Sequence, residues 1–246
     1  MGTGNVKPVE AAALEERRFR YFDFVMAAFV AILLLSNVLG AGKRAEIELP
    51  WFGLIPFGAG ILFFPLSYVI GDVLTEVYGY ASARRCIWAG FVATLFMALM
   101  SAVVVALPPA ADWPGQAAYE SVFGQVPRIV LASMIAFWAG EFANSYVLAR
   151  MKVLTQGRHL WTRTIGSTIV GQGIDSLLFY PLAFYGAPGW PLEAMLGVML
   201  VQFALKVGWE VLLTPVTYAV VGFLKRREGI DVYDSATDFT PFRARV

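Results

Sequence analysis

Asp72 and Glu76 lie one helical turn apart inside the stretch FFPLSYVIGDVLTEVYGYASARR, residues 63–85, which begins like a membrane span. Isolated charges interrupt other apolar stretches as well, and the full set is Asp72, Glu76, Glu141, Asp175, Lys206 and Glu210. A charge at the centre of a bilayer costs about 2.5–3.5 kcal/mol on insertion-derived scales, so such residues should face a protein interior or a wet cavity. Five acids cannot be neutralised by one base, which requires protonated carboxylates or a visiting cation or hydrogen-bond donor.

These charges belong to polar stripes, because side chains three or four residues apart share one face of a helix. The last apolar segment shows the clearest stripe, which contains Gln202, Lys206, Glu210, Thr214 and Tyr218 at four-residue intervals. The other stripes contain Ser36 and Asn37; Tyr68, Asp72, Thr75 and Glu76; Ser133, Glu141, Asn144 and Ser145; and Thr164, Thr168, Gln172, Asp175 and Phe179. Five helices with such stripes can converge on one cavity, and this is the arrangement we predict.

Purely structural roles for the same residues stay open. Hydroxyls such as Thr164 and Thr168 commonly pack between membrane helices without binding a ligand. Lys206 and Glu210 have the spacing of a local ion pair. Glu76 lies near the end of its segment, where it could pair with Arg84 or Arg85. For the charged set as a whole we favour ligand binding, because the acids outnumber the base.

A cavity of this composition suits a flat ligand with hydrogen-bonding edges. A carboxylate accepts hydrogen bonds from adjacent N–H groups, while amides and Lys206 donate to a carbonyl. Aromatic side chains such as Phe179, Tyr180 and Tyr68 can stack on a ring, as they do in proteins that bind unpaired bases. A guanine-like base combines these features, although the residues alone indicate only a small polar solute that is aromatic or cationic.

The elements that must position these residues are membrane helices. The 246-residue chain is 58% hydrophobic and 15% charged, with a mean hydropathy of +0.64, whereas soluble domains carry about 25% charged residues. A bilayer core of about 30 Å needs roughly 20 apolar helical residues. Six segments qualify: 21–39, 58–78, 87–107, 128–148, 162–185 and 191–224. We therefore predict an all-α integral membrane protein with a single six-helix domain over residues 21–224.

Composition also excludes several functional classes. A net charge of +1 does not provide the basic face of a nucleic-acid-binding protein. The single cysteine, Cys86, rules out an intramolecular disulfide and a multi-cysteine metal site. The single histidine, His159, leaves zinc or catalytic-triad chemistry with little support. We expect no cofactor, no metal and no partner nucleic acid.

Basic residues predict the orientation in the membrane, because Lys and Arg accumulate in cytoplasmic loops. Fifteen of the 19 basic residues lie in the N-terminal segment 1–20, in the connections 79–86 and 149–163, and in the C-terminal tail 225–246. Both termini should therefore be cytoplasmic. The connection 40–57 contains the alternating stretch AEIEL, which favours a small hairpin between the first two helices.

Four blocks of sequence carry a family resemblance: LLLSNVLG at 33–40, FFPLSYVIGDVLTEVYGYASARRCIW at 63–88, GSTIVGQGIDSLLFYPLAF at 166–184 and LKVGWEVLLTPVTY at 205–218. They resemble the queuosine precursor transporters of the bacterial inner membrane, also called vitamin uptake transporters. The resemblance covers about residues 21–223 and implies import of 7-deazaguanine bases, the cyano and aminomethyl precursors of queuosine. It also implies a fold similar to the substrate-binding subunits of energy-coupling-factor transporters.

The same resemblance implies roles for particular residues. The positions that match the family motifs most closely are Ser36, Asn37, Asp72, Gln172, Asp175 and Lys206. Glu141, Asn144 and Glu210 match a subset of the family, and Phe179 is an aromatic candidate beside them. We expect Asp175 or Asp72 to accept the two edge donors of the base, and Lys206 or Gln172 to donate to its carbonyl. Glu76, Arg84 and Arg85 would serve gating or coupling.

Other functions compete with a solitary transporter. A substrate-binding subunit could dock an energy-coupling module through the small residues Ala27 and Ala31 of the first helix. Asp72 and Asp175 could form the dyad of an intramembrane aspartyl protease, but Val69 breaks the glycine pattern expected there. A non-transporting scaffold is a third alternative. We favour a solitary transporter that is not an enzyme, and a homodimer through residues 89–93 stays open.

Overall fold

The computed structural model describes residues 19–40, 44–50, 53–124, 127–187 and 190–242. Within these residues, the helices are α1 (Phe22–Leu35), α2 (Phe64–Tyr78), α3 (Tyr80–Ala106), α4 (Gln116–Phe123), α5 (Pro127–Leu154), α6 (Leu160–Phe184) and α7 (Leu192–Glu228). Two short strands, β1 (Arg44–Leu49) and β2 (Gly53–Gly58), lie between α1 and α2. The described residues therefore form the predicted helical fold, with six long helices and the short α4.

Among the residues that the structure describes, four helical stretches are long and apolar enough to cross a bilayer: Phe22–Gly40, Tyr80–Ala106, Gln116–Leu154 and Leu192–Glu228. Length and composition thus support four of the six predicted spans directly. The helix α2 has only 15 residues, about 22 Å at 1.5 Å per residue, and the 3₁₀ turn Ala59–Leu62 precedes it. The helix α6 is long enough at 25 residues but carries Arg163, Gln172 and Asp175. The two helices outside the apolar set are therefore among those with polar stripes.

Contacts at one end of the bundle show how the helices alternate. The Glu228 carboxylate, at the end of α7, accepts hydrogen bonds from the backbone N–H groups of Arg20 and Tyr21 at 2.9 and 2.7 Å. It also accepts one from the Tyr78 hydroxyl at 2.9 Å, at the end of α2. The start of α1 and the ends of α2 and α7 therefore meet at one end of the bundle.

The same end gathers the remaining long helices. Asp234 accepts a 3.1 Å hydrogen bond from the backbone N–H of Tyr80 at the start of α3. Lys152, near the end of α5, donates to the Glu76 carbonyl at 2.6 Å, and Arg163, near the start of α6, donates to the Glu76 carboxylate. The six long helices thus alternate in direction, and residues 20 and 228 lie together. We call this end, which is rich in Lys and Arg, the basic end.

The predicted hairpin lies between α1 and α2. The strands β1 and β2 pair antiparallel, with Arg44 opposite Gly58 and Leu49 opposite Gly53. Close backbone contact follows the hairpin, because a Cβ atom on Gly40 would collide with the backbone of Gly60. Glycine at position 40 lets the π-helical turn Ser36–Gly40 pack directly on the 3₁₀ turn Ala59–Leu62.

The apolar core lies where α1, α2 and α3 meet. Phe29, Val73, Val77 and Cys86 are buried there together. Gly90 on α3 belongs to the same contact, because a Cβ atom on it would lie 2.9 Å from Leu33 Cδ2. Gly90 therefore packs against α1 within the chain, and the homodimer suggested for residues 89–93 stays a prediction without support from this glycine.

Candidate functional site

Two glycines bring the polar faces of α5 and α6 together. A Cβ atom on Gly140 would lie 2.9 Å from the Gly171 carbonyl and 3.0 Å from Asp175 Cβ. A Cβ atom on Gly171 would lie 2.7 Å from Asn144 Cβ and 2.9 Å from the Gly140 carbonyl. Small residues allow such close helix contacts in membranes. The contact places Glu141 and Asn144, on α5, beside Gln172 and Asp175, on α6.

The central ion pair joins α6 to α7. Lys206 Nζ lies 2.6 Å from Asp175 Oδ2, and their side chains keep 15% and 18% of their surface exposed. Lys206 Nζ also lies 5.9 Å from the centroid of the Tyr68 ring on α2. Tyr180, one turn beyond Asp175, is close enough to both charges to interact with them electrostatically. The local pair between Lys206 and Glu210 that the spacing allowed is not formed, because Lys206 turns toward α6.

A second group of polar residues is more deeply buried. Asn144 Nδ2 donates a 2.7 Å hydrogen bond to Asp72 Oδ1, which joins α5 to α2. The carboxyl groups of Glu210 and Glu141 lie close enough to Asp72 to interact with it electrostatically. The exposed fractions are 0% for Asp72, 1% for Glu210 and 3% for Glu141. Three carboxyl groups from three helices are therefore withdrawn from solvent in one region.

Glu141 connects this group to the ion pair. It interacts electrostatically with Asp175 and Lys206 as well as with Asp72. Its Oε2 atom lies against α2, 3.1 Å from where a Cβ atom on Gly71 would be. We define the chamber as the residues of both groups, which are Tyr68, Asp72, Glu141, Asn144, Gln172, Asp175, Lys206 and Glu210. The structure thus brings seven of the predicted site residues together, with Tyr68 added.

The chamber has more hydrogen-bond acceptors than donors. Within the described residues, six of its buried oxygen atoms have no hydrogen-bond partner: Asp72 Oδ2, Glu141 Oε2, Asn144 Oδ1, Gln172 Oε1, Glu210 Oε1 and Glu210 Oε2. An unpartnered buried polar group costs about 1–3 kcal/mol, and more when it is charged. Protons, or a ligand that brings N–H donors, would satisfy these atoms.

Three predicted residues lie elsewhere or at the margin. Ser36 Oγ and Asn37 Nδ2 both donate to the Leu33 carbonyl, at 2.7 and 2.8 Å. Asn37 lines a mostly apolar cavity of about 250 Å³ together with Thr94 and Ser133. Phe179 packs on Tyr180, with ring centroids 5.2 Å apart, and so reaches the chamber through that residue. Binding roles for Ser36, Asn37 and Phe179 stay predictions.

The predicted partners of Glu76 are wrong. Arg163 Nε and Nη2 each donate to the Glu76 carboxylate at 2.8 Å, and Lys225 Nζ lies 2.5 Å from it. Lys152 Nζ lies 3.5 Å from it. Arg84 and Arg85 are directed elsewhere because Gly79, with φ 81°, ends α2 and reverses the chain before α3 begins.

Arg84 instead binds the C-terminal tail. Its Nη1 atom donates to the carbonyls of Asp238 and Thr240 at 3.0 and 2.8 Å, while Arg85 is exposed. Lys152 also holds the tail, donating to Asp231 at 2.6 Å and to the Val232 carbonyl at 2.7 Å. A gating role for Arg84 or Arg85 stays a prediction, and the structure assigns Arg84 a contact that the sequence analysis missed.

Lys152, Arg163, Lys225 and Asp231 were also missed, although a signal for them existed. Each lies in a stretch that the charge rule places at the same end of the bundle as Glu76. A buried carboxylate at that end should attract those bases. For metals, the described part of the chain has no group of three or more His, Cys, Asp or Glu side chains placed to hold an ion.

Comparisons with known proteins agree with one another. The family model described as "Putative vitamin uptake transporter" matches residues 58–220. The "Probable queuosine precursor transporter" of Bacillus subtilis (strain 168) is 31% identical over 197 residues, which are 80% of this chain and 82% of that protein. The "Queuosine precursor transporter" of Escherichia coli (strain K12) is 30% identical over 149 residues, 60% of this chain and 65% of that protein. No solved structure matches the chain.

Proposed function

The chain belongs to the putative vitamin uptake transporter family, and from that premise we propose that it imports 7-deazaguanine precursors of queuosine across the bacterial inner membrane. Relatives named as queuosine precursor transporters, at 31% and 30% identity, support the substrate class. Six long helices of alternating direction support a multi-pass importer. The similarity to substrate-binding subunits of energy-coupling-factor transporters stays part of this proposal.

The observation that carries the proposal is the Asp175–Lys206 ion pair in the chamber. The pair presents an acceptor and a donor side by side, 2.6 Å apart, and both side chains keep some exposure. A deazaguanine edge offers the complementary order, with adjacent N–H donors beside a carbonyl. In the proposed complex, Asp175 accepts from the N–H groups and Lys206 donates to the carbonyl.

Neighbouring side chains fit the rest of the base. The centroid of the Tyr68 ring lies 5.9 Å from Lys206 Nζ, and Tyr180 follows Asp175 on α6. Either ring can stack on the flat base, an interaction worth about 1–3 kcal/mol per base. Gln172 Oε1 is a buried acceptor without a partner among the described residues, and it can accept a further N–H. The substrate would thus supply donors to a chamber that has too few.

The basic end is cytoplasmic in this proposal. Lys152, Arg163 and Lys225 all lie there, and short cytoplasmic loops of membrane proteins are enriched in Lys and Arg. Both termini would then be cytoplasmic. Reaction of cysteines introduced at Ser235 and Ala111 with an impermeant thiol reagent tests this orientation, since only Ala111→Cys should react in intact cells.

Uptake by purified protein tests the transport activity. Proteoliposomes containing the chain alone should take up radiolabelled cyano- and aminomethyl-7-deazaguanine. Asp175→Asn should reduce the initial rate by roughly 10- to 150-fold, because the amide keeps one acceptor oxygen and loses one hydrogen bond to a charged group, worth about 1.5–3 kcal/mol. The control is Glu193→Gln, an exposed acid in the first turn of α7. Normal uptake by Asp175→Asn, or no uptake of either base, would overturn the proposal.

The exposed face of α1 favours one alternative, a binding subunit that depends on an energy-coupling module. Phe24 is 74% exposed, and Ala27 and Ala31 lie exposed on the same helix. Lipid can cover this face as well as a partner helix can. Uptake by the chain alone in proteoliposomes excludes the alternative, whereas base binding without uptake supports it.

A further inference from the structure

We propose that Asp72 and Glu210 form a proton-binding site and that one proton enters with each base. This inference rests on the proposed import function. The two carboxyl groups come from α2 and α7 and interact electrostatically with one another. They are distinct from the Asp175–Lys206 pair, which we assign to the base.

The pattern of missing hydrogen bonds points to a proton. Asn144 uses its amide nitrogen to bind Asp72 Oδ1, but its own buried oxygen has no partner in the described part of the chain. Asp72 Oδ2 and both carboxylate oxygens of Glu210 are likewise buried and have no hydrogen-bond partner among the described residues. Ionised carboxylates only accept hydrogen bonds, whereas a protonated carboxyl also donates one. A proton on this pair supplies the donor that these atoms lack.

Burial separates this site from the substrate site. Asp72, Glu210 and Asn144 are 0%, 1% and 3% exposed, while Asp175 and Lys206 retain 18% and 15%. The ion pair therefore keeps some surface that a ligand can contact, whereas Asp72 and Glu210 keep almost none, and a proton joins a carboxylate without needing a cavity of its own. Among the residues that the structure describes, the acids are not clustered in the geometry of a metal site.

The surrounding charges do not neutralise the pair. The acids that act on Asp72 are Glu210, Glu141 and Glu76, and all of them oppose a second negative charge nearby. Lys206, the base within the chamber, is bonded to Asp175. The bases at the basic end are bonded to Glu76 and the tail. Repulsion between carboxylates in a water-poor interior therefore favours one bound proton.

Glu141 provides the physical link between proton and base. It interacts electrostatically with Asp72 on one side and with Asp175 and Lys206 on the other. A base that binds Asp175 and Lys206 changes the field at Glu141 and hence the proton affinity at Asp72. By reciprocity, a proton at Asp72 changes the affinity for the base by the same factor. The proton binds the Asp72–Glu210 pair, as an O–H bond on one carboxylate, while the site is open to the outside. It is released to water when the site opens to the inside, and the base itself is chemically unchanged.

Gradient-driven uptake in proteoliposomes tests this coupling. We use radiolabelled cyano-7-deazaguanine, which carries no amine charge. With the outside one pH unit more acidic, one coupled proton should support about tenfold accumulation of the base, and an uncoupler should abolish it. Asp72→Asn and Glu210→Gln should lose accumulation driven by the pH gradient, even at protein levels where exchange of labelled for unlabelled base, which needs no net proton movement, is measurable. Glu193→Gln should behave as wild type.

The outcomes separate this inference from the proposed function. Uptake that ignores the pH gradient and the uncoupler would overturn the proton site and leave the import function standing. Absence of uptake and of exchange in the wild type would overturn the import function as well. If the variants do not reconstitute, a pH-sensitive dye inside wild-type vesicles decides. Base addition should acidify the interior, and an unchanged interior pH during measured uptake would refute the inference.

Discussion

Asp72 and Glu76 are one turn apart on α2 and both are fully buried, yet their surroundings are opposite. Glu76 accepts two hydrogen bonds from Arg163 and lies within ion-pair distance of Lys225 and Lys152. Asp72 has one neutral amide as a partner and acids as its charged neighbours. A buried carboxylate surrounded by bases fixes a structure, whereas one surrounded by acceptors is able to change its state.

The difference extends to what each residue holds together. Glu76 joins α2 to α5, α6 and α7 through Lys152, Arg163 and Lys225, and Lys152 continues the network to Asp231 in the tail. Asp72 is connected to α5 through the single bond from Asn144. We therefore expect matched amide substitutions at the two positions to affect different properties.

Glu76→Gln should have the largest effect on stability. It leaves Arg163 and the two lysines without their shared carboxylate, and breaking a buried ion pair costs about 3–5 kcal/mol. Asp72→Asn should change the unfolding free energy by less than about 1 kcal/mol, because a neutral amide replaces a group that lacks bases around it. Chemical unfolding of both variants in detergent measures the contrast. Equal destabilisation by the two changes would contradict it.

Arg84→Ala should have an intermediate effect, which is to weaken the attachment of the C-terminal tail to the helices. The guanidinium donates to the carbonyls of Asp238 and Thr240, and hydrogen bonds from a charged group contribute about 1.5–3 kcal/mol each. We expect at least about tenfold faster chymotryptic cleavage after Phe239, which corresponds to about 1.4 kcal/mol. Arg85→Ala is the matched control, since Arg85 is exposed. Similar cleavage of the two variants would remove Arg84 from its assigned role.

Lowering the pH should have the smallest effect, a loss of tail stability that arises from protonation of Asp231. Partial burial opposes ionisation, but hydrogen bonds from Lys152 and Lys225 lower the pKa of Asp231 below its ordinary value. The stabilisation is therefore complete above the ordinary pKa near 4 and is lost as the pH falls through the lower folded value. Hydrogen exchange of tail amides, corrected for intrinsic rates, should increase between pH 5 and pH 3. Asp231→Asn should abolish that difference, and persistence of the pH effect in this variant would exclude Asp231 as its origin.

The sequence predicted which polar residues share a helix face better than it predicted which side chains they bind. Apolar segments and four-residue spacing placed Lys206 and Glu210 on one stripe, of which Glu210 is buried and Lys206 is half-buried, whereas Tyr218 at the end of the stripe is exposed. They could not show that Lys206 binds Asp175, because the partner depends on the rotation and depth of α6 relative to α7. The rotation of α6 is constrained in turn by its contact with α5 at Gly140 and Gly171, which leaves no periodic pattern in a single sequence.

The basic end was the least predictable part. Glu76 was paired with Arg84 or Arg85 by proximity along the chain, but the positive φ at Gly79 turns α3 away from α2. The tail has no helical or strand periodicity that could predict its contacts. Asp234 accepts a hydrogen bond at the start of α3, and Trp88 donates one to the Pro241 carbonyl. The β1–β2 hairpin was predicted because alternation within AEIEL is a local signal.

The glycine contact between α5 and α6 has a mechanical consequence. With backbones so close, these two helices cannot slide past each other without collision, so they should move as one rigid unit that carries Glu141, Asn144, Gln172 and Asp175. The Asn144–Asp72 and Asp175–Lys206 bonds both cross the border of that unit, to α2 and to α7. If the chain opens toward one side of the membrane by moving this unit away from α2 and α7, both bonds must break.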